Sequence, residues 1–154
     1  MTFIEKKIKK LLEDKKIKCE EFKHEPVYTC EVAKKVVEMI PNSTGIKNLL
    51  LESTERKFVI ALCPGDKKIK TSKLAKLEGT KELRLAKSRD VEKIVGCPIG
   101  CVPPFGHKKQ IKTYIDKQLL ESEYLYFNPG NHSKTIKIQA KDLLKLIEDP
   151  ILYE

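Results

Sequence analysis

The 154 residues suit one domain spanning 1–154, with no repeat or linker to divide them, and the 40% hydrophobic to 34% charged balance excludes both a disordered chain and a disulfide-stapled miniprotein. The apolar runs are too short to cross a bilayer, so no membrane partner is expected. The formal charge of +9 favours a phosphate-bearing partner, a nucleic acid first, yet only Arg56, Arg84 and Arg89 are arginines, and a lysine-rich surface can also be mere solvation.

Thr2 to about residue 17 carries Ile4, Ile8, Leu11 and Leu12 on one stripe, which predicts an amphipathic first helix packing on the rest. This start lacks the unbroken apolar stretch of a secretory signal, so a cytoplasmic location is expected. Cys19 to Lys23 reads as a short strand. After His24-Glu25-Pro26-Val27-Tyr28, Thr29 can cap a helix holding Val32, Val36, Val37 and Ile40, which Pro41-Asn42-Ser43-Thr44-Gly45 ends. Two apolar runs, 46–51 and 58–63, separated by six polar residues, predict a hairpin near the sheet centre, closed by Pro64-Gly65-Asp66.

Helix is expected around 72–77 and strand around 82–86. Ser88 then offers an N-cap for a helix with Val91, Ile94 and Val95, and Gly96 suits the left-handed position beyond its end. Gly96 through Gly106 holds too much glycine and proline for helix or inner strand and must be a shaped loop. Strands near 111–115, 124–127 and 135–138 and a last helix with Leu143, Leu144 and Ile147 complete the chain. Several strand pairs have no helix between them, so the expected fold is mixed α/β (α+β): a mostly antiparallel, curved sheet of about six to seven strands with helices outside.

Alternation along the 46–51 strand puts Lys47 on the face of Leu49 and Leu51, and Asn48 on the other. An ammonium there either reaches water at the strand end or points into a polar cleft where a phosphate, carbonyl or carboxylate meets it. The proline-glycine loop is either a rigid turn or a set of backbone amides that a ligand approaches at Gly100. His132, in the turn before the 135–138 strand, is either exposed or placed to bond a ribose hydroxyl or a water. His24 is read as ordering the turn after it. The five cysteines (Cys19, Cys30, Cys63, Cys97, Cys101) are an odd number without framework spacing, which points to reduced thiols. Cys97, Cys101 and His107 lack an evident fourth zinc ligand, and no histidine with an orienting partner marks a cysteine nucleophile.

In this order, His24-Glu25-Pro26-Val27-Tyr28-Thr29, Lys47-Asn48-Leu49-Leu50-Leu51, Pro64-Gly65-Asp66-Lys67-Lys68, Gly96 through Gly106 with its Val102-Pro103-Pro104-Phe105-Gly106 run, Tyr114-Ile115-Asp116 and Asn128-Pro129-Gly130-Asn131-His132 resemble successive landmarks of the YbaK or prolyl-tRNA editing family. The resemblance implies a YbaK-like curved sheet around the site and a trans-editing aminoacyl-tRNA deacylase, a hydrolase of the ester in mischarged tRNA. It implies that Lys47 helps hold the aminoacyl end, that the loop at Gly100 binds near the scissile carbonyl, and that Thr29, Cys101, Val102, Pro103, Pro104, Asn128, Gly130 and His132 contact substrate. No metal or other cofactor is implied, and no protein nucleophile: a water, or the thiol of a cysteinyl substrate, attacks with help from a terminal ribose hydroxyl.

The implied partners are the 3′ acceptor end of aminoacyl-tRNA and, as a candidate, prolyl-tRNA synthetase. Ala- or Cys-tRNA(Pro) is the expected substrate, with serine- and threonine-related branches kept open by the His132 turn. Asn128 stands where some relatives place a small hydroxyl residue. The alternatives are a non-catalytic module of the same fold that senses aminoacyl-tRNA or an amino acid, and a general lysine-rich nucleic-acid binder.

Overall fold

The computed structural model describes residues 2–24 and 43–154. The helix expected after Thr29, and Cys30 with it, lies outside the described residues. Helix α1 (Phe3–Asp14) begins where the Thr2 hydroxyl accepts the Glu5 N–H at 3.2 Å, and its apolar stripe buries Ile4, Ile8 and Leu12. Strands β1 (Cys19–Lys23), β2 (Ser43–Ser53) and β3 (Phe58–Pro64) follow. Helix α2 (Thr71–Glu78) ends at Gly79 in the left-handed region, and β4 (Leu83–Leu85) leads to α3 (Ser88–Ile94). After the long loop come β5 (Lys112–Asp116), a 3-10 turn (Lys117–Glu121), β6 (Tyr124–Phe127), β7 (Lys134–Gln139), a second 3-10 turn, α4 (Leu143–Leu146) and β8 (Ile151–Tyr153).

The eight strands among the described residues form one mixed sheet in the order β1-β7-β6-β2-β3-β5-β8, with β4 also on β2. Four pairings are antiparallel (β1/β7, β6/β7, β2/β3, β2/β4) and three parallel (β2/β6, β3/β5, β5/β8). The mixed α/β class with antiparallel pairings in the majority is as expected, and the described residues hold one strand more than the sequence suggested. The missed strand, β8, has three residues just after Pro150, too few for an alternation to register. Strand β2 also starts at Ser43, inside the segment read as a helix end, because Ser43–Gly45 pair with Tyr124–Tyr126 of β6. Ser88 is the first residue of α3 and Lys87 its cap position, with no side-chain cap bond.

Strand β2 joins the two halves of the sheet. Its first residues pair with β6 and its last, Leu51–Ser53, with β4 on the same side, while β3 runs along the other edge. Over residues 46–50 no strand among the described residues pairs with that first edge, and the long loop lies over the face that carries Asn48 and Leu50. The main core lies on one sheet face: Leu50, Ile60, Leu62, Ile115, Leu125 and Phe127 pack with α1, α3 and the loop's own Cys97, Cys101, Val102 and Phe105. A smaller cluster on the opposite face joins Leu51, Val59, Ala61 and Tyr114 to Leu74 and Ala75 of α2. No helix among the described residues is long and apolar enough to cross a membrane.

Candidate active site

The loop after α3 is closed at its base, where Lys108 and Lys109 donate their N–H groups to the Val95 and Ile94 carbonyls at 2.9 and 3.1 Å. Gly96, Gly100 and Gly106 all have positive φ, and Gly96 lets the chain turn out of the helix as its position predicted. The tip, Pro98-Ile99-Gly100, is exposed, whereas Cys101 through His107 are buried. Phe105 anchors the buried half by an edge contact with Phe127 at 5.1 Å.

Two side chains grip consecutive carbonyls of that buried half. Asn48 Nδ2 donates to the Val102 carbonyl at 3.0 Å, and His107 Nε2 lies 2.6 Å from the Pro103 carbonyl. Burial holds His107 well below the usual histidine range, at about 4, so it is the neutral imidazole that donates to Pro103. Pro103 and Pro104 have no N–H, and the Cys101 N–H is turned to the Pro98 carbonyl at 3.1 Å. Within Gly100–Pro104 the remaining amides are those of Gly100 and Val102.

The turn at 128–133 stands against the tip. A Cβ placed on Gly100 would lie 3.6 Å from His132 Cε1, and the His132 backbone hydrogen-bonds the Cys101 thiol. Asn128 Oδ1 accepts the Asn131 N–H at 2.6 Å and Asn131 Oδ1 the Ser133 N–H at 2.8 Å, so Asn128 shapes the turn from within. Gly130, with φ +86°, lies under Ile4 of α1. His24 Nε2 pairs with Thr135 Oγ1 at 2.8 Å and its N–H reaches the Ser133 carbonyl, which ties β1 to the same turn.

Lys47 is placed differently. It stands opposite Cys63 in the β2/β3 register, on the other face of β2 from Asn48, and its ammonium donates to the Lys67 carbonyl. Lys67 in turn pairs with the buried Asp116 carboxylate at 3.0 Å, whose other oxygen accepts the Gln118 N–H at 2.9 Å. The structure therefore joins Gly100, Cys101 and His132 directly, and brings Lys47 next to the loop only through the strand, one residue from its anchor Asn48. Thr29 lies outside the described residues.

Burial pushes the Cys97 thiol up to about 12, with Cys101 adding to the effect, and Cys101 up to about 11 despite the bond from His132. Both stay protonated near neutral pH and are poor nucleophiles. Among the described residues no group of three or more His, Cys, Asp or Glu is placed to hold a metal ion. Asn48 and His107 were not singled out as site residues from sequence, although Asn48 neighbours Lys47 and His107 closes the proline-glycine run.

A backbone loop whose exposed tip ends in a glycine, set beside an imidazole, defines a class of site: one that can act on a carbonyl by positioning and amide hydrogen bonds, without a covalent nucleophile. Comparison with known proteins matches residues 24–146 to the aminoacyl-tRNA editing domain. The prolyl-tRNA editing protein ProX of Acetoanaerobium sticklandii is 27% identical over 143 residues, 89% of this chain and 86% of its own. The multifunctional Ser/Thr-tRNA deacylase ProXp-y of Escherichia coli K12 is 26% identical over 133 residues, 84% and 79% of the two chains. The solved structure of a candidate trans-editing enzyme for prolyl tRNA synthetase superposes with a TM-score of 0.81 at 23% identity, covering 100% of this chain and 97% of that one, and speaks for the fold. The chain belongs to the aminoacyl-tRNA editing domain family, and its class of enzyme is the aminoacyl-tRNA deacylases, hydrolases of an ester bond.

Proposed function

We propose that this chain, acting as one unit of 154 residues in the cytoplasm, removes a small noncognate amino acid from tRNA for proline, alanine or cysteine first. The observation that carries the reading is the approach of Gly100 to His132 within the matched region, which sets exposed loop backbone beside an imidazole. The likeness to a prolyl-tRNA editing protein supports tRNA for proline, and the likeness to a Ser/Thr-tRNA deacylase makes serine and threonine the first competitors.

The aminoacyl ester enters with its carbonyl oxygen toward the amides of Gly100 and Val102. A water attacks the carbonyl carbon, the oxyanion of the tetrahedral adduct is stabilised by those amides, and the terminal ribose oxygen leaves with a proton. His132 bonds the ribose hydroxyl or the water, and Cys101, Val102, Pro103 and Pro104 with Gly130 and Asn128 shape the site. Lys47 keeps two further N–H groups besides the one turned to Lys67, and on the family resemblance its charge is assigned to the aminoacyl end of the tRNA. Thr29 is assigned to the same contact on the family resemblance alone. Prolyl-tRNA synthetase, the source of such mischarged tRNA, is the natural partner.

The test is a panel of tRNA for proline charged with alanine, cysteine, serine or proline, and tRNA charged with threonine, run with the native chain and Lys47→Ala. Release of alanine or cysteine, lost in a folded Lys47→Ala, supports the reading. Release confined to serine or threonine moves the substrate to the competing branch, and binding of every substrate with no release makes the protein a sensor.

A further inference from the structure

The two segments that meet at Gly100 and His132 come from distant parts of the chain, and both rest on α1, which precedes the 24–146 region matched to the family. The apolar stripe of the helix is seated on loop backbone where side chains are missing. A Cβ on Gly106 would lie 2.7 Å from Ile8 Cγ1, and one on Gly130 would lie 2.9 Å from Ile4 Cγ2. A Cβ on Gly96 would meet the same Ile4 at 3.5 Å. Glycine at 106 and 130 thus answers both a positive φ and the close approach of a helix.

Polar groups repeat the pattern. Glu5 is only 5% exposed, and its carboxylate accepts from Asn131 Nδ2 at 3.3 Å and from Lys134 Nζ at 2.9 Å, both in or beside the His132 turn. Two residues on, Lys7 Nζ donates to the His107 carbonyl at 2.6 Å, at the far end of the Gly100 loop. A helix that only covered core would be better served by apolar residues at these positions, since a buried carboxylate is costly unless it is paired. Here each charge is turned to one of the two segments.

We propose that α1 is the strut of the candidate site, with Glu5 and Lys7 as positioning residues that hold the His132 turn and the Gly100 loop at a fixed separation. The inference rests on the function proposed above, because the separation it fixes is that of the two segments assigned there to the ester. Neither residue touches the reacting atoms. Each acts through a loop, so its loss is felt in turnover more than in binding of the tRNA body.

The test uses the full chain with Glu5→Gln, Lys7→Met and, as the conservative partner, Lys7→Arg, measuring amide hydrogen exchange at 96–108 and 128–134, thermal melting, and single-turnover deacylation of the substrate found in the panel. The expected result is a folded protein with faster exchange confined to those two segments and a fall of about 10- to 100-fold in kcat with KM little changed, restored by Lys7→Arg. Exchange unchanged in both segments, or loosened segments with kcat intact, overturns the proposal. A native chain inert on every substrate removes the functional reading instead, and the exchange pattern alone then decides whether α1 braces the two segments. If Glu5→Gln does not fold, Lys7→Met, which leaves the buried carboxylate paired, carries the test.

Discussion

Asn48 and Val102 are joined by a 3.0 Å hydrogen bond from side-chain amide to carbonyl, across 54 residues of chain and at the point where β2 lacks a strand on one edge. The loop is thus fixed over the core face of the sheet and borrows its rigidity. It also sets Lys47 and the loop on adjoining positions of one strand, so the displacement of either is transmitted through a single peptide unit.

Removing that bond should loosen the loop without breaking the sheet. Asn48→Ala is expected to lower stability by about 1–2 kcal/mol, the cost of leaving the Val102 carbonyl without its partner, and to cut deacylation about tenfold or more. Urea unfolding and single-turnover rates on the same preparations check both numbers; full activity would mean that the loop holds its shape through Phe105 and His107 alone.

Gly79 and Gly130 both have positive φ, but a Cβ at Gly79 meets nothing within 4 Å while one at Gly130 would lie 2.9 Å from Ile4. Gly79→Ala should therefore cost about 1–2 kcal/mol, the left-handed penalty by itself, and Gly130→Ala clearly more, because helix α1 must also shift. Equal losses in denaturant midpoints would show that Ile4 yields without resistance.

His107 gives a pH signature. Its folded-state value is pushed below the usual 6.5 to about 4, by burial first and by nearby Lys7 as a smaller cause, opposed by the bond to Pro103. The unfolded chain binds a proton there between pH 6.5 and 4 and the native state does not, so stability falls as the pH drops through this window. The full contribution is about 3 kcal/mol. Unfolding free energies across pH 4 to 7 should flatten in His107→Gln relative to the native chain, and an unchanged slope would place the sensitivity elsewhere.

Glu5 has the opposite sign. Burial pushes its carboxyl up, but the bonds from Lys134 and Asn131 outweigh burial and leave it below the usual carboxylate range. Its stabilising pairing is present above the unfolded-state value and is lost as the pH falls through the folded one. Glu5→Gln is expected to lose stability at pH 7 and to converge on the native chain in strong acid, read from thermal melts at a series of pH values.

Neither Cys97 nor Cys101 should be the attacking group. Cys97→Ala is expected to keep most deacylation activity and Cys101→Ala to lose only what its contact with the His132 turn contributes, since a thiol held near 12 or 11 is not the nucleophile, and alkylation near pH 8 should modify the exposed Cys19 before either. A loss of about 100-fold or more in Cys101→Ala would make the thiol a participant.

Much of this molecule was legible in the order of its residues. The 3.6-residue stripe of α1, the hairpin of β2 and β3, the left-handed Gly96 and the proline-glycine loop are all local features, set by periodicity and by backbone freedom that each segment carries with it. The order of the family landmarks was likewise readable without coordinates, because it is a property of the string. The tertiary structure decided what touches what. Thr2-Phe3-Ile4-Glu5 has the spacing of a helix cap, yet nothing local tells that Glu5 meets Asn131 and Lys134 more than 120 residues away. Alternation placed Lys47 on the face opposite Asn48, but only the packed sheet shows the ammonium turned to Lys67 while Asn48 holds the loop. Strand partners, parallel or antiparallel, and the face a loop closes over depend on burial shared by residues far apart in the chain, and no segment holds that information by itself.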